Sequence, residues 1–195
     1  MRRFVIVGHR ASTTGDFKLD DICGGAGRLD VLIRCINSSF FLSHSLRRDV
    51  EAYLILQGGD DAPKTLRFKG DELRYLNPDE RSTASLMRNA LLKKLSDSEI
   101  KASPGIYVSR RGLRDVLSSL SESGEIVYLK EEGEDIRRTE LPEDIVFVLG
   151  DDRDLSEEEE QALKEHADRS LCLGPISYHS DHCITIAHNE MDRRV

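Results

Sequence analysis

Three apolar runs late in the chain each break into a turn: Leu129-Lys130-Glu131-Glu132-Gly133, Leu149-Gly150-Asp151-Asp152 and Leu173-Gly174-Pro175-Ile176-Ser177. If these runs are parallel strands, their carboxyl ends form the ligand crevice of an open sheet. Gly150 and Gly174 carry no side chain, so a ligand can approach the backbone there, although a glycine after a strand is more often only a turn. A second polar pair, Arg28 and Asp30, opens an apolar-faced helix. Asp30 is either a favourable charge at a helix N-terminus or, with Arg28, part of a polar cleft. Arg47-Arg48 is likewise either a solvated pair or a clamp for phosphates. His179, His182, Cys183 and His188 are of zinc-binding type, but no second ligand cluster accompanies them. They are expected to be structural, and no metal site is assigned.

The elements that must position these residues follow from periodicity. Residues 3–7 read as a strand buried on both faces, and Leu29, Leu32, Ile33 and Ile36 mark one face of a helix that starts near Gly27. Residues 51–57 make a second strand, and 65–76 suggest a small hairpin at the sheet edge, turning at Lys69-Gly70-Asp71-Glu72. Asn77-Pro78-Asp79-Glu80 predicts a helix capped by Asn77, with Pro78 in its first position, running to about Leu95. A strand over 105–108, a helix carrying Leu113, Val116, Leu117 and Leu120, and strands over 126–129 and 145–149 come next. Then follow an acidic helix over 156–167 capped by Ser156, a strand over 170–173, and near-helical spacing over 176–191. The alternation predicts one α/β domain, a mainly parallel sheet with helices on both faces.

The 195 residues are 38% hydrophobic and 33% charged, which excludes a disordered chain, and no apolar run is long enough to span a membrane. Met1-Arg2-Arg3 runs straight into a strand, so no secretory leader is expected. Four scattered cysteines without a CxxC read as reduced thiols of a cytoplasmic protein. The net charge of −8 argues against a dedicated nucleic-acid binder on average. Much of that charge sits in 151–165, however, where Asp151, Asp152, Asp154, Glu157, Glu158, Glu159, Glu160 and Glu165 face only Arg153 and Lys164. An RNA-binding face elsewhere therefore stays open. There is no GxxxxGK[ST], no GxSxG, and no GxGxxG after a strand; Gly24-Gly25-Ala26-Gly27 follows a polar stretch and fails the dinucleotide context.

Five segments occur together in order: MRRFVIVG at 1–8, AGRLDVLIRC at 26–35, SHSLRRD at 43–49, FVLGDDRDL at 147–155 and LGPISYHSDHCITIAHNEMD at 173–192. From end to end the chain resembles the archaeal TrmY family, the tRNA pseudouridine-54 N1-methyltransferases of the SPOUT class. It is more distantly similar to the Nep/Emg ribosomal-RNA pseudouridine N1-methyltransferases, which share the GRLD-type element. The resemblance implies a single SPOUT methyltransferase domain over 1–195, with a C-terminal trefoil knot, S-adenosylmethionine bound in the knot, and a homodimer acting on tRNA. It implies cofactor contacts from Leu129, Gly150, Leu173, Gly174, Pro175, Ile176, Ser177 and Cys183, with Cys183 a wall and not a nucleophile. Asp30 would orient or accept the N1 proton, Arg28 would balance charge on the neighbouring carbonyl, and Arg47 and Arg48 would clamp phosphates. Two rival readings remain: a ribosomal-RNA substrate, and a non-catalytic RNA-binding module that keeps the fold.

Overall fold

Phe4, Val5, Ile6 and Val7 have no exposed surface because their strand lies in the middle of the sheet and is covered on both sides. A computed structural model describes residues 1–194. The first strand, β1 (Arg2–Ser12), leads through a glycine-rich loop into α1 (Leu29–Phe40), then β2 (Val50–Gly58), β3 (Lys64–Lys69) and α2 (Glu80–Leu91). Next come β4 (Ile100–Ser103), β5 (Ile106–Ser109), α3 (Leu113–Leu120), β6 (Glu125–Asp135) and β7 (Ile145–Gly150). The chain closes with α4 (Glu157–Lys164), β8 (Arg169–Cys172) and α5 (Ser180–Asp192).

All eight strands form one sheet in the order β4-β5-β3-β2-β1-β7-β6-β8. The half from β2 to β8 is parallel, and β3, β5 and β4 extend it antiparallel. Side chains alternate across a strand, so β1 feeds two cores. Phe4 and Ile6 pack with α1, α2 and α5, whereas Val5 and Val7 pack with α3 and α4. Truncating a side chain as enclosed as Phe4 to alanine costs ~3–5 kcal/mol in comparable cores. The parallel strands β1, β7 and β6 start level, with Arg2 opposite Ile145 and Ile145 opposite Glu125. Their carboxyl ends therefore emerge at one edge. Leu171 of β8 pairs with Leu129 and again with Glu134, so residues 130–133 bow out around it. A side chain on Gly133 would stand only 2.5 Å from the Leu171 backbone.

Several sequence expectations need correction. No hairpin forms over 65–76: Glu72 and Leu73 donate to the Lys69 carbonyl, and the free edge of β3 is taken by β5. Ile106 and Val108 offer β3 a more apolar partner than 70–76 does, and Leu73 and Leu76 are buried as loop residues instead. The cap of α2 is Asp79, whose carboxylate accepts from the Ser82 N–H at 2.8 Å, and not Asn77. That helix ends at Leu91, four residues short of the expectation, and β4 was not legible because four residues are too few for its alternation to stand out. Ser156 does cap α4, through a capping box with Glu159.

Candidate active site

The level carboxyl ends of β6, β7 and β8 leave a cleft of about 710 Å³ between them and the start of α5. Seven of the eight residues expected at a cofactor line it: Leu129, Gly150, Leu173, Gly174, Ile176, Ser177 and Cys183; Pro175 lies outside its wall. The backbone after Gly150 doubles back so tightly that a β-carbon there would stand 2.2 Å from the Arg153 carbonyl oxygen. The glycine is required by the loop itself before any ligand is considered. Glu131 accepts from Ser177 Oγ at 2.7 Å, tying two walls together, and that hydrogen bond lowers the titration of its carboxyl. Burial pushes the Cys183 thiol up to about 11, so at neutral pH it is a protonated wall group.

Arg28 and Asp30 stand on the adjoining wall. Gly27 has φ 64° because its α-carbon rests on β1, where a β-carbon would meet the Arg10 carbonyl oxygen at 1.8 Å. Arg28 follows with φ 67°, a left-handed conformation that costs a non-glycine residue of order 1–2 kcal/mol. Its guanidinium forks onto Asp30, with Nε donating to Oδ1 at 3.0 Å and Nη2 to Oδ2 at 3.3 Å. Arg34 Nη1 donates to the same Oδ2 at 3.0 Å from one turn along α1. Burial raises the Asp30 carboxyl, but the two guanidiniums outweigh it and hold it below its ordinary value. Asp30 is thus a clamped carboxylate, good at accepting a hydrogen bond and poor at taking a proton. Asp152 links the two walls: it lines the cleft and accepts from Arg10 Nη2 at 2.5 Å and Arg28 Nη1 at 3.4 Å.

Arg47 and Arg48 are not part of this constellation. Arg47 follows the far end of α1, and at 1.5 Å per residue the 12-residue helix puts it ~17 Å from Arg28. Its guanidinium pairs with Asp192 at 3.0 and 2.5 Å, and Arg48 Nη1 donates to the carbonyls of Gly70 and Leu73 at 2.7 Å each. The pair therefore stands away from Arg28 and Asp30, fastened to α5 and to the loop after β3. His188 is buried edge-on to Phe4 at 4.8 Å with Nε2 3.0 Å from the Ser39 carbonyl, and burial lowers its titration to about 3. Among the described residues no three His, Cys, Asp or Glu side chains are arranged to hold a metal ion.

One group escaped the sequence reading. His9, just past the apolar part of β1, has Nδ1 2.8 Å from Asp151 Oδ1 and Nε2 2.9 Å from Glu159 Oε2. The rule that strand ends carry ligand sites pointed to Gly8-His9 as much as to the late strands. Its partners, 142 and 150 residues away, gave no local signal.

Residues 1–195 match the family described as "Putative SAM-dependent RNA methyltransferase". The chain belongs to this family. Among its relatives is a protein of Methanococcoides burtonii, 48% identical over 197 residues that cover 100% of this chain and 98% of that one. Another, from Haloferax volcanii, is 49% identical over 195 residues, covering 98% and 96%. Both are called tRNA (pseudouridine(54)-N(1))-methyltransferase. Among solved structures, Archaeoglobus fulgidus Nep1 bound to S-adenosylhomocysteine superposes with a TM-score of 0.67 at 19% identity, covering 98% of this chain and 97% of that one. The fold of this chain is thus that of Nep1.

Proposed function

We propose that this chain methylates N1 of pseudouridine 54 in tRNA, using S-adenosylmethionine, to give 1-methylpseudouridine. The observation that carries the reading is near-complete alignment at 48–49% identity with relatives of that name. The ribosomal alternative has only fold likeness behind it, at 19% identity. Nothing observed favours a non-catalytic module, since the cleft and the polar pair both stand complete.

The cleft fits the cofactor on its own chemistry. Its volume lies within the ~300–1,000 Å³ usual for small-molecule sites. Leu129, Leu149, Leu173 and Cys183 offer apolar walls for a flat base, and Glu131 and Asp154 offer carboxylates for hydroxyls and cationic groups. When bound, S-adenosylmethionine supplies a methyl group on a positively charged sulfur. Catalysis by the chain is then positioning and electrostatics. Asp30 accepts the hydrogen bond of pseudouridine N1–H and turns it toward the cleft; as N1 gains the methyl group its proton leaves to solvent. Arg28 faces the neighbouring carbonyl oxygen, and Arg10 and Arg34 line the route for the RNA backbone. The 130–133 bow around Leu171 supports a threaded C-terminal segment, and the working unit is a homodimer, as in the resemblance that the sequence carries.

The test is methyl transfer to tRNA transcripts with pseudouridine or uridine at position 54, followed by nucleoside mass spectrometry. The expected product is 1-methylpseudouridine, formed only from the pseudouridine transcript. Transfer to uridine, preferential transfer to a ribosomal transcript, or none at all overturns the reading. Light scattering at micromolar protein gives twice the chain mass if the dimer forms.

A further inference from the structure

His9 sits where three elements meet, and nothing in the methyl-transfer reading uses it. Its backbone N–H donates to Asp151 Oδ2 at 3.0 Å, its Nδ1 lies 2.8 Å from Asp151 Oδ1, and its Nε2 lies 2.9 Å from Glu159 Oε2. The three side chains are 13%, 1% and 10% exposed. An ionised carboxylate only accepts hydrogen bonds, so two ring nitrogens that both face carboxylates must both carry hydrogen. With both carboxylates ionised, the geometry calls for an imidazolium. A neutral ring would aim a lone pair at one buried carboxylate and leave it unpaired, which is costly.

Each carboxylate also shapes backbone. Asp151 Oδ1 accepts from the Arg153 N–H at 3.1 Å, and Glu159 Oε2 accepts from the Ser156 N–H at 2.7 Å, closing the cap of α4. The Asp151 carbonyl accepts from Ser180 Oγ at 2.5 Å, which fixes the start of α5. Between these anchors run Asp152, Arg153, Asp154 and Leu155, a wall of the cleft. Loss of the His9 proton thus puts two buried anions without a counter-charge at the two ends of one wall.

We propose that the imidazolium of His9 is a positioning residue for the cofactor: charged, it holds the 151–159 wall in the shape that accepts S-adenosylmethionine, and uncharged it releases that wall. The proposal rests on the cofactor reading of the cleft. The hydrogen bonds that His9 donates to Asp151 and then to Glu159 raise it to about 9 against the opposing effect of burial, and Glu159 falls to about 2. With the folded value raised above the ordinary 6.5, the stabilisation is full below pH 6.5 and is lost as pH rises through about 9. Around the cluster, β2 contributes the neutral Gln57 against Glu159, the turn after β7 contributes Asp151, and α4 contributes Glu159. In the cleft, Cys183 and Tyr128 titrate at about 11 and about 12, above this window.

Calorimetric titration with S-adenosylhomocysteine from pH 7 to 10 tests the idea, on the wild-type chain and on His9→Gln. The ligand's own amino group titrates in the alkaline range, so the variant's profile serves as the reference. The expected result is affinity at least about tenfold weaker for His9→Gln at pH 7, a ~1.4 kcal/mol difference. The two profiles should converge near pH 10. His9→Gln with Glu159→Gln should recover part of the loss, because a neutral pair needs no counter-charge. Parallel profiles, or equal affinities at pH 7, overturn the proposal. If His9→Gln does not fold, ring ¹⁵N shifts of the wild-type free protein decide: an imidazolium is expected at pH 7.5, and a neutral tautomer overturns it. A wild-type chain that does not bind the ligand at pH 7 defeats the cofactor reading instead.

Discussion

Asp30→Asn separates a residue that faces the reacting base from one that only secures the start of α1. The side chain is 11% exposed, and its two guanidinium partners are 34% and 36% exposed. Asparagine keeps one oxygen acceptor and the shape, but loses the charge that both arginines share. Hydrogen bonds to charged groups contribute ~1.5–3 kcal/mol when enclosed, and partners this exposed are partly rehydrated, so the net loss is about 1–2 kcal/mol. In a chain of this size that lowers Tm by roughly 2–8 °C, at ~2–4 °C per kcal/mol. S-adenosylhomocysteine affinity should not change, because Asp30 does not line the cleft. The rate with saturating tRNA should fall ~10²-fold or more, the usual cost of removing a positioned catalytic or electrostatic group. The assay is single-turnover transfer of labelled methyl to pseudouridine-54 tRNA, beside a melt of the free protein. A Tm shift of this size with activity within about threefold of the parent would make Asp30 a helix-start ion pair and nothing more. The carboxyl titrates below its ordinary value, so its stabilisation is present above the unfolded pKa and lost only as pH falls below it. No step in the rate near neutral pH should trace to it.

Gly150→Ala places a β-carbon 2.2 Å from the Arg153 carbonyl, so S-adenosylhomocysteine affinity should drop at least about tenfold, ~1.4 kcal/mol, through loop displacement. A native circular dichroism spectrum with affinity within threefold would refute this. His188 is neutral in the fold down to about pH 3 but titrates near 6.5 when unfolded, so the unfolded state binds the proton first. Urea midpoints should therefore fall as pH drops below about 6.5, and His188→Gln should flatten that slope. Arg10→Ala should weaken tRNA binding and reduce the salt slope by about one, the mark of one lost phosphate contact. Arg47→Ala should lower Tm and leave tRNA affinity unchanged; the reverse pattern would restore the phosphate clamp.

What was legible in the sequence is what is written locally. Apolar runs located β1, β2 and β7, and the turns after β7 and β8 marked the crevice because parallel strands must end together. Arg28 and Asp30 were legible as a pair two residues apart. What was not legible depends on partners brought from afar. Arg47 reads as a solvated charge until Asp192 is laid beside it, and β3 reads as half a hairpin until β5 arrives. His9 is a lone histidine in the sequence and an imidazolium only between two carboxylates from the last third of the chain. The Asn77 cap failed for a different reason: Asp79 offers the same chemistry two residues later, and spacing alone cannot choose between them.

The placement of β1 between β2 and β7 also bears on how the chain is made. Synthesis delivers ~5–20 residues per second, so the edge of β1 reserved for β7 waits on the order of ten seconds for its partner. Throughout that interval Phe4, Val5, Ile6 and Val7 present an apolar strand with a row of unpaired backbone groups, a template for pairing with any other nascent chain. Chains stalled before residue 145 should accumulate in the insoluble fraction, and full-length chains should not. The same central position that shields β1 in the finished sheet makes it the segment most in need of chaperone protection during birth.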